Sequence, residues 1–370
     1  MRDGWIAPQR LFDGARLHAG VGLRVADGVV AEVGPAPAEA VALQGTVTPG
    51  YVDLQVNGGG GVLLNTSPTP EGMAAIAAAH RRFGTVALLP TLITDAPGVM
   101  EQAVEAALAA KGAEGIAGIH LEGPHIAPAR KGTHAPRFIR PLDGRTIACV
   151  RRLRDGGVPV MVTLAPEAVA PGQIAALRET GAVVSLGHTD ATFAAAQAAL
   201  AEGANCFTHL FNAMSPLSHR APGVVGAALD SMAPSGIICD GVHVEDAVVA
   251  LAIRARRTVD LMFLVSDAMP TVGGPDRFRL YDMELRVQDG RLVNPEGSLA
   301  GAHVTMAESV ARLITRAGIA PEVALRMAVT VPARVMEAPG LARITGRRAG
   351  DVLLLGEDWM PDGTLATLPG

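Results

Sequence analysis

The chain has 370 residues and a formal net charge of −5, with 49% apolar, 18% charged and only 3% aromatic side chains. Charge this dilute, with its basic doublets Arg81-Arg82, Arg151-Arg152 and Arg256-Arg257 at the ends of predicted helices, argues against a nucleic-acid surface, and no apolar run reaches the roughly 18 residues of a membrane span. The opening MRDGWIAPQR has no apolar stretch to serve as an export signal, and Cys149, Cys206 and Cys239, odd in number and widely spaced, fit buried thiols, so a soluble cytoplasmic protein is expected.

In chain order, residues 1–48 read as short strands broken by turns: Leu23-Arg24-Val25, the Asp27-Gly28 turn, Val29-Val30, then Val41-Ala42-Leu43. After Pro49-Gly50 apolar strands alternate with Ala-rich helical stretches, the pattern of a parallel sheet. The strand candidates are Tyr51–Val56, Val86–Leu92, Ile116–Leu121, Val158–Leu164, Ala182–Leu186, Asn205–His209, Gly236–Cys239 and Leu261–Val265. Eight is the number of a TIM-type (β/α)8 barrel, whose usual length of about 250 residues leaves room for one accessory module. Helices are predicted between most strands, among them 70–83, 97–110, 191–202 and 246–257, several starting at Pro or an N-cap residue. A hairpin insertion follows over 276–300, then helices at about 305–317 and 321–336, and a tail that returns to strand character. The expected division is a small β domain from residues 1–48 and 341–370 beside a barrel of residues 49–340.

Reactive groups of such a barrel gather where its strands end, because the loops leaving those ends form one face. The third, fifth and sixth candidates lead into Glu122, His188 and His209, one carboxylate and two imidazoles, the donor set of a catalytic zinc with an open position for water. A lone histidine at a strand end is as readily just hydrogen-bonded; three ligands on one face are not so easily dismissed. Asp267, after the eighth strand, is placed to move a proton between water and a leaving group, or else to cap a local turn. His134, in a loop after the third strand, is placed to polarise a carbonyl.

The runs His-Leu-Glu-Gly-Pro-His (120–125), Lys-Gly-Thr-His (131–134), Leu-Gly-His-Thr (186–189), Thr-His-Leu-Phe-Asn-Ala-Met (208–214), Asp-Gly-Val-His (240–243) and Val-Ser-Asp-Ala (265–268) resemble, in order, those of the N-acetylglucosamine-6-phosphate deacetylases of the amidohydrolase superfamily. The resemblance runs from about residue 49 to 340. It implies a barrel with a small β-sandwich formed by the N- and C-terminal segments, and a homodimer. It implies Glu122, His188 and His209 as metal ligands, Asp267 as catalytic acid/base and His134 as the contact to the acetamide carbonyl. Substrate contacts are implied for Thr133, Asn212, Ala213, His243, Leu299, Ala300 and Gly301, and for Arg220 reaching in from the neighbouring subunit. Read from its residue type alone, Arg220 is either a guanidinium for a phosphate or a surface charge.

Most superfamily members begin with a His-x-His pair after the first strand, where this chain has Gln55-Val56-Asn57. Neutral amides are poor metal ligands. One divalent ion per chain is therefore expected, Zn2+ first with Fe2+, Co2+ or Mn2+ as alternatives, and Gln55 and Asn57 are expected to orient water or ligand. The implied reaction is hydrolysis of N-acetylglucosamine 6-phosphate to glucosamine 6-phosphate and acetate by metal-activated water. The rivals are N-acetylgalactosamine 6-phosphate as substrate and a non-catalytic sugar-phosphate sensor on the same barrel.

Overall fold

The computed structural model describes residues 3–368; Met1-Arg2 and Pro369-Gly370, the outermost residues of the expected terminal domain, lie outside the described residues. Strands that read as unbroken apolar runs are those buried on both faces, which requires helices on one side and packed side chains on the other. Tyr51–Val56, Thr85–Ile93, Ile119–Glu122, Val160–Leu164, Val183–Leu186, Cys206–Phe207, Ser235–Ile237 and Met262–Leu264 form one eight-stranded sheet, each paired with its neighbour in sequence. Every pairing is parallel. The sheet closes where Val56 bridges Ala268. There the Asp267 N–H donates to the Gln55 carbonyl (3.0 Å), and the N–H groups of Asn57 and Gly58 donate to the Ala268 carbonyl (2.9 and 3.0 Å). The expected barrel is thus present.

The outer helices follow from local signals. Pro70–Arg81 starts at Pro after Thr69, whose side chain accepts from the Gly72 N–H. Thr192 caps Phe193–Glu202 in the same way, and Thr305 with Glu308 forms a capping box for Met306–Thr315. The sixth barrel strand ends at Phe207, two residues short of the expected His209, because the backbone at His209 turns into the left-handed region (φ 27°) and leaves the extended conformation.

The two ends of the chain meet in a seven-stranded sheet. Gly4–Phe12 lies parallel to Val41–Pro49, and Val352–Leu355 pairs antiparallel on the other side of that strand. Ile6, Leu11, Leu23, Val25, Val47 and Val352 fill its core. The insertion after the barrel is three-stranded rather than a hairpin: Arg277–Leu280 pairs with Met283–Gln288, which pairs with Arg291–Val293. Leu280, Leu285 and Leu292 pack with Leu63, Ile93, Met269 and Ala300 and so seat the insertion over the barrel mouth. Among the described residues no helix is long and apolar enough to cross a membrane.

Asp53, in the middle of the first barrel strand, is fully buried and locks the closing seam by accepting from the N–H and hydroxyl of Ser266 and from the Gln55 N–H. Burial pushes its carboxyl up to about 7, against those hydrogen bonds. A carboxyl raised in the folded state is protonated there at pH values where the unfolded chain has already released its proton, so its contribution to stability is lost as pH rises from about 4 to about 7. Asp53→Asn keeps the acceptor oxygen and removes the titration. Its thermal midpoint relative to the parent is expected to climb steadily between those pH values, measured by thermal unfolding across a pH series; a constant difference would refute the assignment.

Candidate active site

Glu122 closes the third barrel strand, His188 and His209 each lie two residues past the end of the fifth and sixth, and Asp267 lies three past the eighth. His188, His209, Ala213 and Asp267 all have positive φ (49°, 27°, 49° and 50°). Such backbone costs a non-glycine residue on the order of 1–3 kcal/mol and persists only where the surroundings fix it. Here it turns side chains from the strand ends over the barrel mouth.

Nε2 of His188 and Nε2 of His209 each lie 3.1 Å from Glu122 Oε1 and 3.0 Å from one another. His188 Nδ1 donates to the Arg130 carbonyl at 2.8 Å, which leaves its Nε2 as a bare lone pair in the neutral ring. Several electron-rich atoms crowded at this distance repel unless a proton or cation stands among them, and a His₂Glu donor set fits a divalent cation. Glu122, His134 and His188 likewise present ligand atoms within 4.8 Å of one another, so His134 is a further candidate ligand. Burial opposes ionisation of Glu122, but the two imidazoles set against it outweigh that burial and hold its carboxyl well below the usual range.

Gln55 and Asn57 reach the two carboxylates. Gln55 Nε2 donates to Glu122 Oε1 (2.8 Å) and to Asp267 Oδ1 (3.1 Å), and Asn57 Nδ2 donates to Asp267 Oδ1 (2.7 Å). Asp267 Oδ2 makes no hydrogen bond among the described residues. Burial, and then the negative charge of Glu122, push the Asp267 carboxyl up to about 6. A carboxyl near neutrality can both take and return a proton at working pH.

One cavity is lined by Asn57, Glu122, Thr133, His134, His188, His209, Asn212, Ala213, His243, Asp267, Leu299 and Gly301. Gln55 lies beneath it, almost wholly buried, and Ala300 turns into the core of the insertion. Arg220 is exposed and outside that lining. Within the lining, the Ala213 N–H has no backbone acceptor and the buried Thr133 hydroxyl no hydrogen-bond partner among the described residues. His243 is held by Asp240: its Nδ1 lies 2.6 Å from Asp240 Oδ2, while Asp240 Oδ1 accepts the N–H groups of Val242 and His243 at 2.8 Å each.

Asp240 stood within a recognised run of sequence but without a role; the three-residue spacing to His243 is the signal that could have given it one. Ile93, Gly132 and Met269 also line the cavity and carried no chemical signal. Nor did Thr94, whose hydroxyl lies 2.6 Å from His134 Nδ1.

The Amidohydrolase family matches residues 46–345. The chain is 41% identical over 318 residues to an N-acetylgalactosamine-6-phosphate deacetylase of Shewanella sp. (strain ANA-3), covering 85% of this chain and 80% of that protein. It is 33% identical over 303 residues to an N-acetylglucosamine-6-phosphate deacetylase of Haemophilus influenzae, covering 80% and 78%. Among solved structures, the N-acetylglucosamine-6-phosphate deacetylase of Pasteurella multocida superimposes with a TM-score of 0.88 at 32% identity over 98% of both chains. A mutant N-acetyl-D-glucosamine-6-phosphate deacetylase of Mycobacterium smegmatis, in complex with N-acetyl-D-glucosamine-6-phosphate, gives 0.89 at 30% identity over 98% of this chain and 97% of that one. With its barrel, its buried carboxylate–imidazole cluster and this breadth of likeness, the chain belongs to the amidohydrolase family and is a metal-dependent hydrolase.

Proposed function

We propose that the chain hydrolyses the acetamide of N-acetylglucosamine 6-phosphate to glucosamine 6-phosphate and acetate, a step of amino-sugar catabolism. The observation that carries this is the convergence of Glu122, His188 and His209 within 3.1 Å of one another, beside an Asp267 tied to them through Gln55. Both deacetylase relatives and both solved structures described above act on, or are named for, phosphorylated N-acetyl amino sugars. A second substrate, N-acetylgalactosamine 6-phosphate, is favoured by the higher identity to the Shewanella protein, 41% against 33%.

In this reading Glu122, His188 and His209 hold one divalent cation, Zn2+ before Fe2+, Co2+ or Mn2+. When bound it supplies Lewis acidity and makes a water acidic enough to react near neutral pH. Asp267, with Oδ1 fixed by Gln55 and Asn57, takes a proton on Oδ2 from the attacking water and returns it to the amine nitrogen as the C–N bond breaks. His134 contacts the acetamide oxygen. Asn212, the Ala213 N–H and His243 take the sugar phosphate end, Thr133 is a further substrate contact, and Leu299 and Gly301 form the wall beside it with Ala300 packed behind them in the insertion. Arg220 serves the neighbouring active site of a homodimer, a role supported by its exposure and by its lack of an ion pair among the described residues. The catalytic unit spans residues 49–340 and the terminal domain residues 1–48 with 341–370. Three unpaired cysteines support a reducing, cytoplasmic setting.

An acetate-release panel tests the substrate. The 6-phosphorylated sugar is expected to exceed its unphosphorylated counterpart by roughly 100-fold or more in kcat/KM, since polar groups built for a phosphate are otherwise left unpaired. The gluco and galacto sugars measured side by side decide between the two epimers, and equal rates with and without phosphate would refute the assignment.

Asp267→Asn is expected to lower kcat by about 10²- to 10⁴-fold while metal content stays unchanged. Parental turnover would remove Asp267 from its role.

Elemental analysis after dialysis tests the ligand set. One ion per chain is expected in the parent, lost in Glu122→Gln and His209→Ala and retained in His134→Ala. Two tightly bound ions, or loss in His134→Ala alone, would overturn it.

A further inference from the structure

Thr94 follows directly on the second barrel strand and is buried, with 1% of its surface exposed. Its hydroxyl has one partner within the described residues, His134 Nδ1 at 2.6 Å. Room for that hydroxyl comes from Gly123, the residue after Glu122: a Cβ added there would stand 2.3 Å from Thr94 Oγ1. On the other side the Tyr281 hydroxyl, from the three-stranded insertion, donates to the Thr94 carbonyl and holds the residue in place. Glycine and tyrosine thus define the position of an oxygen whose one hydrogen-bond partner among the described residues is an imidazole.

The neutral imidazole carries a single N–H, on one nitrogen or the other. If Nδ1 carries it, Nδ1–H donates to Thr94 Oγ1, the threonine O–H is buried with no acceptor, and Nε2 presents a bare lone pair. If Nε2 carries it, the threonine O–H donates to Nδ1 and both groups are satisfied. Leaving a buried donor unmade costs its full desolvation, whereas the second arrangement leaves none. His134 Nε2 makes no hydrogen bond within the described chain, and His134 lines the cavity.

We infer that Thr94 is a positioning residue whose hydroxyl donates to His134 Nδ1 and so fixes the ring in the Nε2–H form, a donor toward a substrate carbonyl oxygen and not a ligand for a cation. The inference deepens the proposed deacetylase reading, in which His134 contacts the acetamide oxygen. It also accounts for a histidine that stands within ligand distance of Glu122 and His188 without belonging to the metal-holding set.

The test pairs Thr94→Val, which keeps the shape and removes the hydroxyl, with Thr94→Ser, which restores it. Nitrogen-15 spectra of histidine-labelled protein, recorded metal-free and zinc-loaded and assigned with His134→Asn, report which ring nitrogen is protonated. The parent and Thr94→Ser are expected to show Nε2–H at His134, and Thr94→Val to show that preference lost. Turnover of N-acetylglucosamine 6-phosphate is expected to fall about 10- to 100-fold in kcat in Thr94→Val, with KM and metal content little changed, and to recover in Thr94→Ser. An Nδ1–H ring in the parent, parental kcat in Thr94→Val, or equal loss in both variants would overturn the inference. Should Thr94→Val not fold, the parent and Thr94→Ser spectra decide alone. Absence of deacetylation by the parent would instead sink the functional reading, and the spectra would still settle the ring.

Discussion

Two carboxylates, Glu122 and Asp267, are buried side by side, and one amide keeps them together. Gln55 Nε2 donates to both, which of the amide's two ends only the –NH₂ can do, so the orientation of that side chain is chemically forced. Without the amide and the two imidazoles, the charges would repel in a poorly solvated space. Glu122 is held ionised by His188 and His209 while Asp267, with amide donors only, is pushed toward protonation. Two chemically alike groups therefore take different tasks because their partners differ, one suited to holding a cation and the other to carrying a proton.

That junction exists because the barrel closes. Asp267 belongs to the eighth strand's exit and Gln55 to the first strand, which lie far apart in sequence and become neighbours only through the seam of main-chain bonds from Gln55, Asn57 and Gly58 to Asp267 and Ala268. Asp53 adds side-chain bonds to the same seam one layer below. The left-handed backbone at His188, His209 and Asp267 is affordable at such a place, where strands on either side fix the chain and leave little freedom to relax. Packing of the barrel thus sets the geometry of the site to a degree that loops alone would not.

How much of this was legible beforehand depends on whether the signal was local. The eight barrel strands showed as apolar runs, and the groups at their ends were readable because barrel topology assigns all of them to one face. The first strand of the terminal sheet, Gly4–Phe12, was not: its runs are mixed, and its partner Val41–Pro49 lies beyond three intervening strands and pairs parallel to it. Helix Gly223–Asp230 carries little local signal, being apolar up to its final residue and without a side-chain cap. The partners of Gln55 and Asn57 could not be read either, since a neutral amide advertises neither its acceptor nor its distance. Thr94 was invisible for a simpler reason: a single hydroxyl after a strand has meaning only once the imidazole it touches is known.

The central strand of the terminal sheet, Val41–Pro49, runs straight into the first barrel strand and is flanked by Gly4–Phe12 on one side and Val352–Leu355 on the other. During synthesis its second flank, Val352–Leu355, arrives some three hundred residues later. Until then an edge of unpaired N–H and C=O groups stays open beside a growing barrel, a template for the wrong neighbour. A second chain would find that flank open for pairing, so Val352–Leu355 acts as the clasp that shuts it.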